Sequence, residues 1–141
     1  MKTIWKVLGG IGLLLVIIFS GTIGEPVEKA SAGSIDEYLQ KYVSEQNSKL
    51  PMMVDSETRL DSMIVINKTI CYYNTVVHYS ASNEVAQKIN AFGPKIVNRI
   101  CTSKETQKWV KNGFTFSYAY YDNDGKQITV ISVAPSQCGN F

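Results

Sequence analysis

Histidine is almost missing from this chain, with His78 the only one. Cysteine is scarce too: three residues, none in a C-x-x-C spacing, which leaves nothing for a redox motif or a zinc knuckle. Charge of one sign is not concentrated anywhere. The 14 basic and 12 acidic residues leave a net +2, and phosphate binding needs a basic face, so nucleic acid is not an expected partner. The sequence also lacks an internal repeat, a low-complexity tract, a nucleophile-elbow pattern and a cofactor signature, so no cofactor is expected.

What is present begins at the N-terminus. Lys2 and Lys6 precede an uncharged, mostly apolar run from Val7 to Gly24, and the acidic stretch Glu25-Pro26-Val27-Glu28 follows. As a helix those residues would span about 27 Å, close to the hydrocarbon core of a bilayer. Residues 1–24 therefore read as a signal anchor or a signal peptide, 25–33 as a linker and 34–141 as an exported domain. An uncleaved anchor is preferred, with the membrane as partner through residues 7–24 and a periplasmic C-terminal domain on the inner membrane. Ala30-Ser31-Ala32 supplies the small-x-small pattern of the other reading, a periplasmic or secreted product cleaved after Ala32. No cysteine follows the apolar run, which disfavours a lipid-modified anchor. The lysines ahead of it keep the N-terminus cytoplasmic.

The exported part carries 11 basic and 10 acidic residues and is long enough for one core. Ser34-Ile35-Asp36-Glu37 has the form of a capping box, followed by Ile35, Tyr38, Leu39, Tyr42 and Val43 on one helical face that should stop before Pro51. Arg59 to Ile66 and Thr69 to Tyr79, separated by Asn67-Lys68, read as a hairpin, with Met52-Met53-Val54 as a short preceding strand. Ser82 caps a second helix that Gly93-Pro94 breaks and that resumes to Cys101. Thr102-Ser103-Lys104-Glu105 opens a short third piece closed by Asn112-Gly113, and Lys104, Lys108 and Lys111 form its solvated face. Phe114 to Tyr121 and Gln127 to Val133 make the last hairpin. The fold class is α+β: an N-terminal membrane helix, then a four- or five-stranded antiparallel sheet with helices packed on one face.

Chemistry finds few footholds in this layout. Asp122-Asn123-Asp124-Gly125 starts like a calcium loop, but the twelfth position is Val133, so it is a hairpin turn. On a continuous strand Cys71 and His78 lie about 23 Å apart and on opposite faces, too far for a dyad. Asp55, Glu57 and Asp61 flank a turn into a strand, where acids are routine. The Asn67-Lys68-Thr69 sequon sits in a hairpin connection. Tyrosine is the enrichment that bears on function. Strand parity puts Phe114, Phe116, Tyr118 and Tyr120 on a dry face, and Tyr73, Thr75, Thr115, Ser117, Tyr121 and Thr129 on the other, a hydroxyl-rich surface suited to binding protein or sugar.

Three cysteines in an exported chain favour one disulfide. Cys101–Cys138 would pin the C-terminal tail to a helix, Cys71 with either partner being the alternative. The segment Leu50 to Ser62, the tyrosine-bearing strand after it, the cysteine-ended helix and the last hairpin before Cys138 together resemble small bacterial envelope proteins of unassigned function. That resemblance implies a periplasmic setting and the Cys101–Cys138 pairing, and no activity. The expected function is a non-enzymatic protein-binding module (adaptor, assembly factor, or inhibitor of the immunity type) with an envelope protein as partner. A small hydrolase using His78 as base is the alternative.

Overall fold

A computed structural model describes residues 32–139. The apolar run of residues 7–24 and most of the linker 25–33 lie outside those residues, and the cleavage point after Ala32 falls at their first peptide bond. No helix among the described residues is long and apolar enough to cross a membrane.

Helix α1 spans Ala32–Asn47 and is followed by β1 (Met52–Met53), β2 (Thr58–Ile66) and β3 (Thr69–Val76). Three short helices come next, α2 (Asn83–Asn90), α3 (Gly93–Thr102) and α4 (Lys104–Lys111), then β4 (Thr115–Tyr121), β5 (Gln127–Val133) and a 3-10 turn at Pro135–Cys138. Local signals explain most boundaries. Ser82 accepts from the Val85 backbone N–H at 3.2 Å, and Pro94 sits in the first turn of α3, where a missing N–H costs nothing. Asn67 and Lys68 both take positive φ, the conformation that lets two residues join strands with the right twist. Two caps differ from expectation. Helix α1 already includes Ser34, beginning two residues earlier at Ala32 and running through Gly33. Ser103 leads α4 without a side-chain cap; its hydroxyl donates to Glu105 Oε2 at 2.7 Å instead.

The five strands form one sheet in the order β1-β2-β3-β4-β5. Its pairs are antiparallel except for the central one: β3 and β4 run parallel, from Thr69 opposite Thr115 to Thr75 opposite Tyr121. The wholly antiparallel sheet expected from two hairpins is thus corrected at its centre. Helices α2, α3 and α4 fill the connection between the hairpins, and a chain that crosses the sheet through helices re-enters beside its starting strand in the same direction. Among the described residues, helices cover one face only. Leu39 and Tyr42 of α1, Ile89, Ile96, Ile100 and Trp109 of the crossover, and Leu60, Met63, Ile70, Tyr72, Phe116, Tyr118 and Val133 of the sheet make one buried cluster. Tyr72 and Tyr118 stack at 4.9 Å, and Trp109 meets Phe114 edge-on at 5.3 Å. Cys101 and Cys138 are joined by a disulfide that holds the C-terminal turn to the end of α3.

Candidate functional site: the open face and the β5 edge

Alternate side chains of β2 to β5 point away from the helices. One row across this open face holds Ile64, Cys71, Ser117 and Ser132; the next holds Ser62, Tyr73, Ala119 and Val130. Ser132 Oγ meets Ser117 Oγ at 3.5 Å, and the rings of Tyr73 and Tyr121 lie 6.3 Å apart, tilted. Ile64, Ile66 and Val130 are 40%, 56% and 42% exposed, high for β-branched apolar residues in a sheet. Between the Arg59–Asp61 pair at one end and Lys68 at the other, these rows carry no charged side chain. Burial pushes the Cys71 thiol above its ordinary pKa, so it is a weaker nucleophile than a free thiol.

Of the expected face, Tyr73, Thr115, Ser117 and Tyr121 are brought together, half-buried. Thr75 is also on this side but buried, since its hydroxyl bonds Asp61 and takes a hydrogen bond from Arg59. Thr129 is a correction. It pairs with Tyr120 and shares the helix-covered side with Ile131 and Val133, where its hydroxyl bonds Asn90 Oδ1 at 2.7 Å. Polarity suggested an open-face position, but a strand at the sheet margin can satisfy a threonine against a helix end. Sequence reasoning missed Ile64 and Ile66. A bulge between Leu60 and Ser62 shifts the register of β2, so the run Met63-Ile64-Val65-Ile66 alternates faces without alternating polarity. The signal is the unbroken apolar run Met63 to Ile66, whose successive residues must face opposite sides of the sheet.

The remaining candidates have structural employment. Asp55 Oδ1 accepts from the Glu57 and Thr58 N–H groups at 2.8 Å each, forming the turn into β2. Burial, with a smaller push from Glu57, raises its pKa against the pull of those bonds. Asp122 works in reverse. Its carboxylate accepts from Ala81, Lys126 and Asp124 backbone N–H groups, and these, Ala81 first, hold its pKa below the ordinary range. His78 is exposed, with Nε2 3.9 Å from Glu57 Oε2. Cys101 is tied up in the disulfide, so the structure brings no thiol to His78. Tyr118 and Tyr120 are buried, and desolvation drives both phenols far up, which keeps them neutral packing residues.

Beside the open face, a groove of about 760 Å³ runs between α3, β5 and the C-terminal turn. Pro94, Val97 and the Cys101–Cys138 bridge form one side and Val130 to Ser132 the other, with no ionisable group in its lining.

Residues 34–130 match the domain of unknown function DUF8479, and the chain belongs to that family. No curated protein matches it in sequence. Among solved structures it is similar to a protein of Pseudomonas aeruginosa described as secreted (TM-score 0.61, 11% identity, covering 77% of this chain and 98% of that one). It is also similar to the pilotin EpsS of the Vibrio vulnificus type 2 secretion system (0.56, 9%, 77% and 94%) and the pilotin AspS of the Vibrio cholerae type II system (0.50, 12%, 74% and 93%). At such identities the likeness is one of fold.

Proposed function

We propose that this chain is a non-enzymatic protein-binding module of the bacterial cell envelope, which docks a partner protein on the open face of its sheet. One observation carries the reading: among the described residues helices cover a single side of the sheet, while the other is an uncharged field of tyrosine, serine and threonine with Ile64, Ile66 and Val130 standing out of it. Tyrosine gives contact area at low entropic cost, hydroxyls adapt their hydrogen bonds, and exposed β-branched residues supply the apolar centre of an interface. The disulfide supports an oxidising compartment outside the cytoplasm. The family's function is unassigned, and the solved structures of like fold include two pilotins of type II secretion systems. In this reading residues 7–24 hold the chain at the outer face of the inner membrane.

Affinity capture of the tagged full chain from mildly solubilised native membranes tests the proposal. A partner in stoichiometric amount is expected, and it should disappear when Ile64→Lys is combined with Tyr73→Ser and Tyr121→Ser. Capture that survives those substitutions in a folded protein sinks the open face as the docking surface. The N-terminus of the recovered chain distinguishes the retained anchor from cleavage after Ala32.

A further inference from the structure

Strand β5, Gln127-Ile128-Thr129-Val130-Ile131-Ser132-Val133, has no charged residue and no proline. Its inner side is used by β4. Among the described residues no strand pairs with its other side, so it is the last strand of the sheet. β5 has one bulge near its start, where Gln127 and Thr129 oppose the adjacent Tyr121 and Tyr120, and the regular edge runs from Thr129 to Val133. Long, uncharged, β-branched edges pair readily with other chains, and soluble proteins normally blunt them with lysine, proline, a bulge or a covering element. The opposite edge is blunted in that way. Asn47 of α1 bonds both polar groups of Met63, Gln40 bonds the Val65 carbonyl, and β1 covers Arg59 and Leu60. At β5 a groove takes the place of a cover.

We infer that β5 is completed by an extended segment of a partner polypeptide, added as a sixth strand whose alternate side chains enter the groove beneath α3. This deepens the protein-binding reading, on which it rests, but does not need the open face to be the main contact. The groove's dimensions and chemistry define the segment. It is about five residues long, matching the regular stretch of β5 from Thr129 to Val133. It is uncharged throughout, because nothing in the lining would balance an ion, and apolar at the positions facing Val97, Ile131 and the disulfide. Backbone pairing supplies affinity and the groove supplies selection by side chain. A second copy of the chain fits less well. Its own α3 stands over its own β5, so pairing the two strands would press two helices into space that admits one strand.

The test uses the full chain in lipid nanodiscs, panned against a phage-displayed library of random dodecapeptides. Selected peptides should share an uncharged stretch of alternating apolar residues and slow amide exchange along residues 127–133 at least tenfold. N-methylating alternate peptide bonds, or introducing Val97→Arg into the groove, should each weaken binding at least tenfold. Val97→Arg acts on the surface of α3; for Val130→Lys, on the sheet margin, a loss is likewise expected, so the test does not depend on one variant. Peptides that slow exchange at Ile64, Tyr73 and Tyr121 instead, or that tolerate N-methylation, overturn strand addition while leaving the protein-binding reading standing. Discs that dimerise through β5 without peptide overturn the choice of partner in favour of a second copy. A library that yields no binder above empty discs overturns the inference outright.

Discussion

Along β2 the backbone groups facing away from β3 are taken up by α1, whose Asn47 amide both donates to and accepts from Met63 at 2.7 and 2.8 Å. Along β5 no described strand pairs with the side facing away from β4, and a groove lies between it and α3. Both strands sit at margins of the same sheet and both are rich in β-branched residues. The difference lies in what packs beside them. An asparagine at the last turn of a helix imitates a peptide unit and closes one edge; at the other a disulfide fastens the C-terminal turn to α3, building a wall without covering the strand. Two side-chain amides and the short β1 close one edge, whereas a groove flanks the other.

That contrast breaks most strongly at the wall. Replacing Cys101 and Cys138 by Ala removes a crosslink over a sequence separation of 37 residues, and folding stability should fall by about 3 kcal/mol in non-reducing denaturant titrations. The loss should be accompanied by faster amide exchange in β5 and the C-terminal turn. Asn47→Ala attacks the closed edge instead. It strips two bonds from a half-buried stretch of backbone and should cost about 1–3 kcal/mol, with concentration-dependent self-association as the newly exposed edge finds partners. If self-association does not rise, the asparagine is not what blunts that edge.

Acidity separates the loops that flank the far ends of the strands. The pKa of Asp122 is lowered in the folded chain, so its contribution is present above the ordinary carboxylate range and fades as pH falls through the folded value. The pKa of Asp55 is raised, so its ionisation weakens the fold as pH climbs through that value. Asp122→Asn should therefore lower the denaturation midpoint near neutral pH and much less in strong acid. Asp55→Asn keeps an oxygen for the Glu57 and Thr58 N–H groups and should raise the neutral midpoint slightly. Midpoints moving in the same direction for both variants would contradict the assignment of opposite shifts. The smallest effect belongs to the open edge itself. Val130→Lys disturbs no bond that the fold uses and should change stability by less than about 0.5 kcal/mol. It should still raise solubility, measured as the concentration at which the chain precipitates.

Much of this architecture was legible in the chain. Ser82, Gly93-Pro94 and Asn112-Gly113 mark helix ends through backbone chemistry that needs no tertiary context. Asn67-Lys68 marks the first hairpin, and Phe114 to Tyr120 separate a dry from a wet side by parity. The candidate face was half legible for the same reason: Tyr73, Ser117 and Tyr121 follow parity, and parity survives along β3 and most of β4. It failed in β2, where the bulge moves Ile64 and Ile66 onto the open side, and at Thr129, where polarity was a poor guide to a residue with a helix-borne partner in Asn90. Neither a bulge nor a cross-element hydrogen bond has a local signature, because both depend on what stands opposite.

Local chemistry alone thus determined where the elements begin and end, which strand faces are dry, and that an uncharged run precedes an exported-type domain with few groups fit for catalysis. The parallel pairing of β3 and β4 was decided only by tertiary structure, since strand direction follows from the path of the helices between them. The unequal edges were decided there too. Asn47 and Met63 are 16 residues apart, and whether a backbone group is satisfied depends on which distant side chain the fold brings within hydrogen-bond reach.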